Sequence, residues 1–246
     1  MNDYDTQYYI LVDYDNLEKN QKLQDNEIIT AMNHMLNRLD RELDFFVEAK
    51  ALQKINILLY GGWYDQKTRT KKSIRIKQEI SKPRPSLFLS QHNVNLNPYI
   101  DISHGLMSFP GRTFYGTFRH PQAKFKIKNL QSCCEDGAIC VDFVRHLNEH
   151  KECCYCSADL SDLLYCDSQK MVDTMICCDL LYLSQKEGSR IFITIVSSDD
   201  DLIPPIYQQC KSNNRIYHLL TKEQTNSSFD NFYSSFKPSN YKQTTW

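Results

Sequence analysis

Two long apolar runs in this chain each end in carboxylates, and that pairing limits the fold more than any other feature. Tyr9-Ile10-Leu11-Val12 leads into Asp13-Tyr14-Asp15-Asn16, and Ile191-Phe192-Ile193-Thr194-Ile195-Val196 leads through Ser197-Ser198 into Asp199-Asp200-Asp201. A β-branched run of this kind, bounded by polar residues, reads as a strand covered on both faces, which is the environment of a parallel sheet with helices on either side. In open α/β folds, ligands sit outside the carboxyl ends of the strands where the strand order reverses, so aspartates from opposite ends of a chain can converge there. Carboxylates packed together repel one another until a cation joins them, and a hard divalent ion such as Mg2+ or Mn2+ suits an all-oxygen set.

The rest of the chain alternates in the way such a sheet requires. Residues 7–13 form the first strand. Ile28, Ile29, Met32, Met35, Leu36, Leu39, Leu43 and Phe46 recur at helical spacing and predict a helix over about 26–48. A strand at 55–60 closes on Gly61-Gly62, a basic helix follows from Lys67 to about Ile80, and Leu87–Leu89 reads as a short strand. A helix is expected over 168–186, a strand over 191–196, a helix over 201–212 with Pro204 and Pro205 in its first turn, and a last strand over 216–220. This order argues for an α/β three-layer sandwich with a mostly parallel central sheet. Residues 91–165, with no clear period, read as a cysteine-rich insertion, and the polar tail from Lys237 reads as frayed.

At 246 residues the expectation is one domain, 1–246, carrying that insertion. No apolar stretch approaches the roughly 20 residues of a membrane span. The opening Met1-Asn2-Asp3-Tyr4-Asp5 is acidic where a secretory signal is basic and then apolar. A cytoplasmic, non-membrane protein is expected, and its ten cysteines then read as reduced thiols. Cys153-x-x-Cys156 has the spacing of a zinc knuckle, although a single pair of this kind is a weak signal for structural Zn2+.

The net charge of -1 conceals an asymmetry: residues 65–130 hold thirteen Lys and Arg against three acids, and the remainder is acidic. Lys67, Arg69, Lys71, Lys72, Arg75 and Lys77 crowd one helix, where the plain alternative is a solvated surface. Arg112, Arg119, Lys124 and Lys126 are interleaved with Phe114, Tyr115, Phe118 and Phe125. Cations mixed with stackable rings suit a single-stranded nucleic acid.

Between the two aspartate strands lies Lys170-Met171-Val172-Asp173, with Asp179 six residues beyond Asp173. A strand ending Asp-x-x-Asn, a helix opening Lys-x-Val-Asp and a strand ending Ser-x-Asp-x-Asp together resemble the NYN domain family, a branch of the PIN-like nucleases. The segment Ser228-Phe229-Asp230-Asn231-Phe232 is similar to that family's closing segment. The resemblance implies a metal-dependent ribonuclease in which Asp13, Asp173, Asp199 and Asp201 hold Mg2+ or Mn2+, with Asn16 and Ser197 in support, RNA as partner, and a homodimer left open. The chain departs from the pattern at Ser198, where a glycine is common, and at Asp200. Asp179 falls on the apolar face of its helix and is expected to turn inward to a backbone group or Lys170, while Asp15 and Asp200 read as solvated neighbours.

Two other readings stand beside the nuclease. Asp13-Tyr14-Asp15 also resembles the strand-end Asp-x-Asp of haloacid-dehalogenase-like phosphatases. A catalytically silent nucleic-acid-binding protein would keep the fold alone.

Overall fold

Strand β1 (Thr6–Asp13) is the axis of the molecule in the computed structural model, which describes residues 6–24, 27–42, 52–65, 68–82, 87–89, 94–96, 98–102, 126–127, 164–165, 171–185, 190–212, 214–222 and 240–246. Helices α1 (Tyr14–Gln21) and α2 (Ile28–Glu42) follow it, then β2 (Leu52–Tyr60), the two-residue strands β3 (Tyr64–Asp65) and β4 (Thr68–Arg69), and α3 (Lys71–Ile80). Next come the ribbon β5 (Leu87–Leu89) and β6 (Val94–Leu96), strand β7 (Tyr99–Ile102), and a second ribbon, β8 (Lys126–Ile127) with β9 (Leu164–Tyr165). Helix α4 (Val172–Ser184), β10 (Arg190–Val196), a 3-10 turn (Asp200–Leu202), α5 (Ile203–Lys211), β11 (Ile216–Leu220) and β12 (Tyr241–Thr245) complete the order.

Six strands form one sheet in the order β12-β11-β10-β1-β2-β7, and every pairing in it is parallel. From β1 the chain builds outward through β2 to β7 on one side. On the other side it returns as β10 and builds out to β12. The strand order therefore reverses between β1 and β10, the strands that end in the two aspartate clusters.

Side-chain alternation sorts the core into two layers. Tyr8, Ile10 and Val12 face α1, α2 and α3, which contribute Leu17, Met32, Leu36 and Ile76. Tyr9 and Leu11 face α4 and α5, which contribute Met175, Ile176, Leu180 and Ile206. A three-layer sandwich results, and by the same alternation Asp13 points to the α4 side.

Several boundaries differ from the sequence reading. The basic helix begins at Lys71, because the Thr70 hydroxyl accepts the Ser73 amide as its cap (3.2 Å) and Thr68-Arg69 belong to a strand. Helix α1 occupies a stretch to which the sequence reading assigned no element. The tail expected to fray supplies β12 at the sheet edge, and β7, inside the segment read as an insertion, forms the other edge.

The chain divides into two compact units, residues 1–118 with 169–246, and residues 119–168. In the second, the described residues are those of the β8–β9 ribbon. Cys153 and Cys156, Ser228–Phe232, and the stretch that would extend α2 beyond Glu42 lie outside the described residues. Among the described residues, no helix is long and apolar enough to cross a membrane.

Candidate metal centre

Asp13, Asp173 and Asp199 each place a carboxylate oxygen within 4.8 Å of the other two. Three separate elements deliver them: the end of β1, the first turn of α4, and the turn after β10. Asp13 is 3% exposed, and the other two are partly buried.

Asp13 and Asp199 also cap the elements that follow them, a local role compatible with their convergence at the site. Asp13 caps α1, its Oδ1 accepting the Asn16 amide (3.1 Å), while its Oδ2 accepts the Ser197 hydroxyl (3.0 Å). Asp199 caps the 3-10 turn by accepting the Asp201 amide (3.2 Å). Ser197 also accepts the Asp199 amide on its hydroxyl (3.1 Å), so a single side chain links the strand-end aspartate to the turn that carries another. Asn16 works in parallel, its Oδ1 accepting from the Ser198 amide (3.3 Å), Asn20 Nδ2 (2.8 Å) and the Thr221 hydroxyl (2.5 Å).

Electrostatics follow from this crowding. Burial pushes the Asp13 carboxyl up to about 7, opposed by its bonds to Asn16 and Ser197 and reinforced by the charges of Asp173 and Asp15. Burial, followed by the charges of Asp199 and Asp201, pushes Asp173 up to about 6, although a helix N-terminus ordinarily favours an acid. A bound cation would reverse this pressure. The three converging donors are all carboxylate oxygens, with no imidazole or thiolate among them, which fits Mg2+ or Mn2+ and not a zinc set.

The remaining expected residues divide clearly. Asp201 is exposed in the 3-10 turn; its charge acts on Asp173, but it is not among the three that converge. Asp179 turns inward as expected, with a different partner: it is fully buried and accepts the Tyr60 hydroxyl (2.6 Å). Lys170 lies outside the described residues. Asp15 is not a solvated neighbour. It accepts the Gly62 amide (2.7 Å) and is ion-paired with Lys72.

Lys72, one of the cations expected to meet a nucleic acid, is the partner in that ion pair. It bridges Asp15 and Glu18 (2.5 Å to the latter) and lies 5.0 Å from the centre of the Tyr14 ring. Burial would lower its pKa, but the two carboxylates outweigh burial and hold it above the ordinary value, so it stays charged. Lys77 is likewise paired, with Asp101 at 2.5 Å. Arg69, Lys71 and Arg75 are exposed. Lys67, Arg112, Arg119 and Lys124 lie outside the described residues, and of Lys126 only its strand is described.

Ser198 needs no glycine, since among the described residues only Lys22 and Met171 of the non-glycines take a positive φ. Its buried hydroxyl accepts the amides of Thr221 (2.9 Å) and Lys222 (3.1 Å) instead, tying the turn to the end of β11. Tyr60, Thr221 and His218 were not signalled by the sequence, because their partners come from elements distant along the chain.

Neither the protein-family models, nor the curated proteins, nor the solved structures contain a match to this chain. The class defined by fold and site is therefore a parallel three-layer α/β protein with an aspartate cluster suited to a divalent ion at its topological switch point.

Proposed function

We propose that this protein is a Mg2+- or Mn2+-dependent endoribonuclease of the NYN type. The observation that carries the reading is the convergence of Asp13, Asp173 and Asp199 at the switch point, where burial and neighbouring carboxylates raise the charges of Asp13 and Asp173 in energy. These three residues would hold the ion, with Asp201 at the rim. A divalent ion in such a site polarises a phosphoryl oxygen and lowers the pKa of a bound water, chemistry that asks the protein for fixed carboxylates and not for a histidine base. Ser197 and Asn16 hold the carboxylates and their turns in register. Arg69 on β4, with Lys71 and Arg75 on α3, supplies cations for a phosphate backbone.

The phosphatase alternative is disfavoured by Asp15. In that chemistry the second carboxyl of Asp-x-Asp must carry a proton to the leaving group. Here Asp15 is ion-paired with Lys72 and accepts the Gly62 amide, so both of its oxygens are already engaged in holding the fold together.

The test is to incubate the purified chain with labelled single-stranded RNA, single-stranded DNA and a generic phosphomonoester, in Mn2+ or in EDTA. Internal cleavage of RNA that EDTA abolishes is the expected result. Hydrolysis of the phosphomonoester alone would establish the phosphatase, and RNA binding without cleavage would establish the silent protein.

A further inference from the structure

We propose that His218 and Tyr241 are positioning residues of the acidic centre, setting its affinity for the divalent ion through Ser197. The proposal rests on the metal-dependent reading above and goes beyond it by naming residues that touch neither ion nor substrate.

The observation is a polar row crossing the sheet from its last strand to the site. Tyr241 on β12 lies 2.8 Å from His218 Nδ1 on β11, and His218 Nε2 lies 3.0 Å from the carbonyl oxygen of Ser197. The Ser197 hydroxyl then reaches Asp13 and the Asp199 amide. A carbonyl only accepts, so Nε2 carries the proton and Nδ1 is left as an acceptor facing the Tyr241 hydroxyl, whose single proton is also within reach of Gln243 Oε1 (2.9 Å). Burial pushes His218 down to about 4, so the ring is a neutral, directional donor at ordinary pH.

His218 is fully buried, where an apolar side chain would pack at lower cost in desolvation. What the imidazole adds is a second hold on Ser197. The Ser197 amide already donates to the Leu219 carbonyl (3.2 Å), and the His218 bond fixes the other end of the same residue. With both ends of its backbone held, Ser197 keeps its Cβ in place, and from there its hydroxyl bonds Asp13 and the Asp199 amide. Groups behind the ligands of a metal commonly decide their orientation and affinity in this way.

The experiment measures Mn2+ affinity of the full chain from the electron paramagnetic resonance signal of the free ion. His218→Leu is expected to weaken binding by about 10- to 100-fold. His218→Gln, whose amide can still donate to the Ser197 carbonyl, should stay close to wild type, and Tyr241→Phe should fall between them. In a Ser197→Ala background the His218→Leu effect should largely vanish, because the route through the hydroxyl is already cut; a merely structural role would add instead. A folded His218→Leu protein that binds Mn2+ as tightly as wild type overturns the proposal. If that variant does not fold, wild-type affinity in Tyr241→Phe overturns it equally. Failure of the wild-type chain itself to bind Mn2+ would overturn the underlying metal reading, a result distinct from either.

Discussion

Asp13 carries the largest electrostatic cost in the described site, and its pH dependence follows from that. Its folded pKa of about 7 stands above the ordinary 3.8, so between those values the folded state holds more protons than the unfolded one. Stability contributed by this group is thus greatest at acid pH and falls as pH rises toward 7. His218 works in the opposite sense: with a folded pKa of about 4 against 6.5, it favours the folded state increasingly as pH rises through that interval. The two are separated by comparing wild type with Asp13→Asn, which keeps a good helix cap. Without metal, the melting temperature of the variant relative to wild type should climb from pH 5 to pH 8, and Mn2+ should raise only the wild type. A difference that does not vary with pH would contradict the raised Asp13 pKa.

At the scale of elements, the turn 61–63 and helices α1 and α3 form one locked corner. Gly61 sits where a Cβ would come within 2.9 Å of Asp15 Oδ2 and of the Trp63 ring, so Gly61→Ala should cost about 1–3 kcal/mol, read by chemical denaturation. Asp15→Ala would leave the partly buried Lys72 with Glu18 alone and the Gly62 amide without its acceptor; a loss of about 1–3 kcal/mol is expected, with Mn2+ affinity largely kept. These contacts also explain what the sequence hid. Helix α1 is only eight residues long with two buried side chains, Tyr14 and Leu17, too few to reveal a helical period, and its cap is the strand-end aspartate itself. Strand β12 reads Tyr-Lys-Gln-Thr-Thr, with Tyr241 alone fully covered, so nothing in its pattern separates an edge strand from a loose tail. By contrast β1 and β10, buried on both faces, were legible as uninterrupted apolar runs. The three converging aspartates were legible because each directly follows or opens an element that was itself readable.

Across the whole molecule, the acidic centre and the cations of α3 make different demands on a substrate. Affinity for single-stranded RNA without metal should fall with salt at a slope of about -0.7 per phosphate contact. Reversing Arg69, Lys71 and Arg75 together should flatten that slope, whereas reversing Lys72 should lower stability, because that lysine is spent on Asp15 and Glu18. An unchanged slope in the triple variant would remove α3 from the interface. The central claim concerns the centre itself, and Asp173 is its most direct probe, since the phosphatase reading makes it an ordinary first-turn acid. The decisive measurement is cleavage of single-stranded RNA in Mn2+ by Asp173→Asn beside wild type, with folding followed by thermal melts. Loss of cleavage by orders of magnitude, in a variant that without metal melts no lower than wild type, is the predicted result. Full cleavage by a folded Asp173→Asn protein would contradict it.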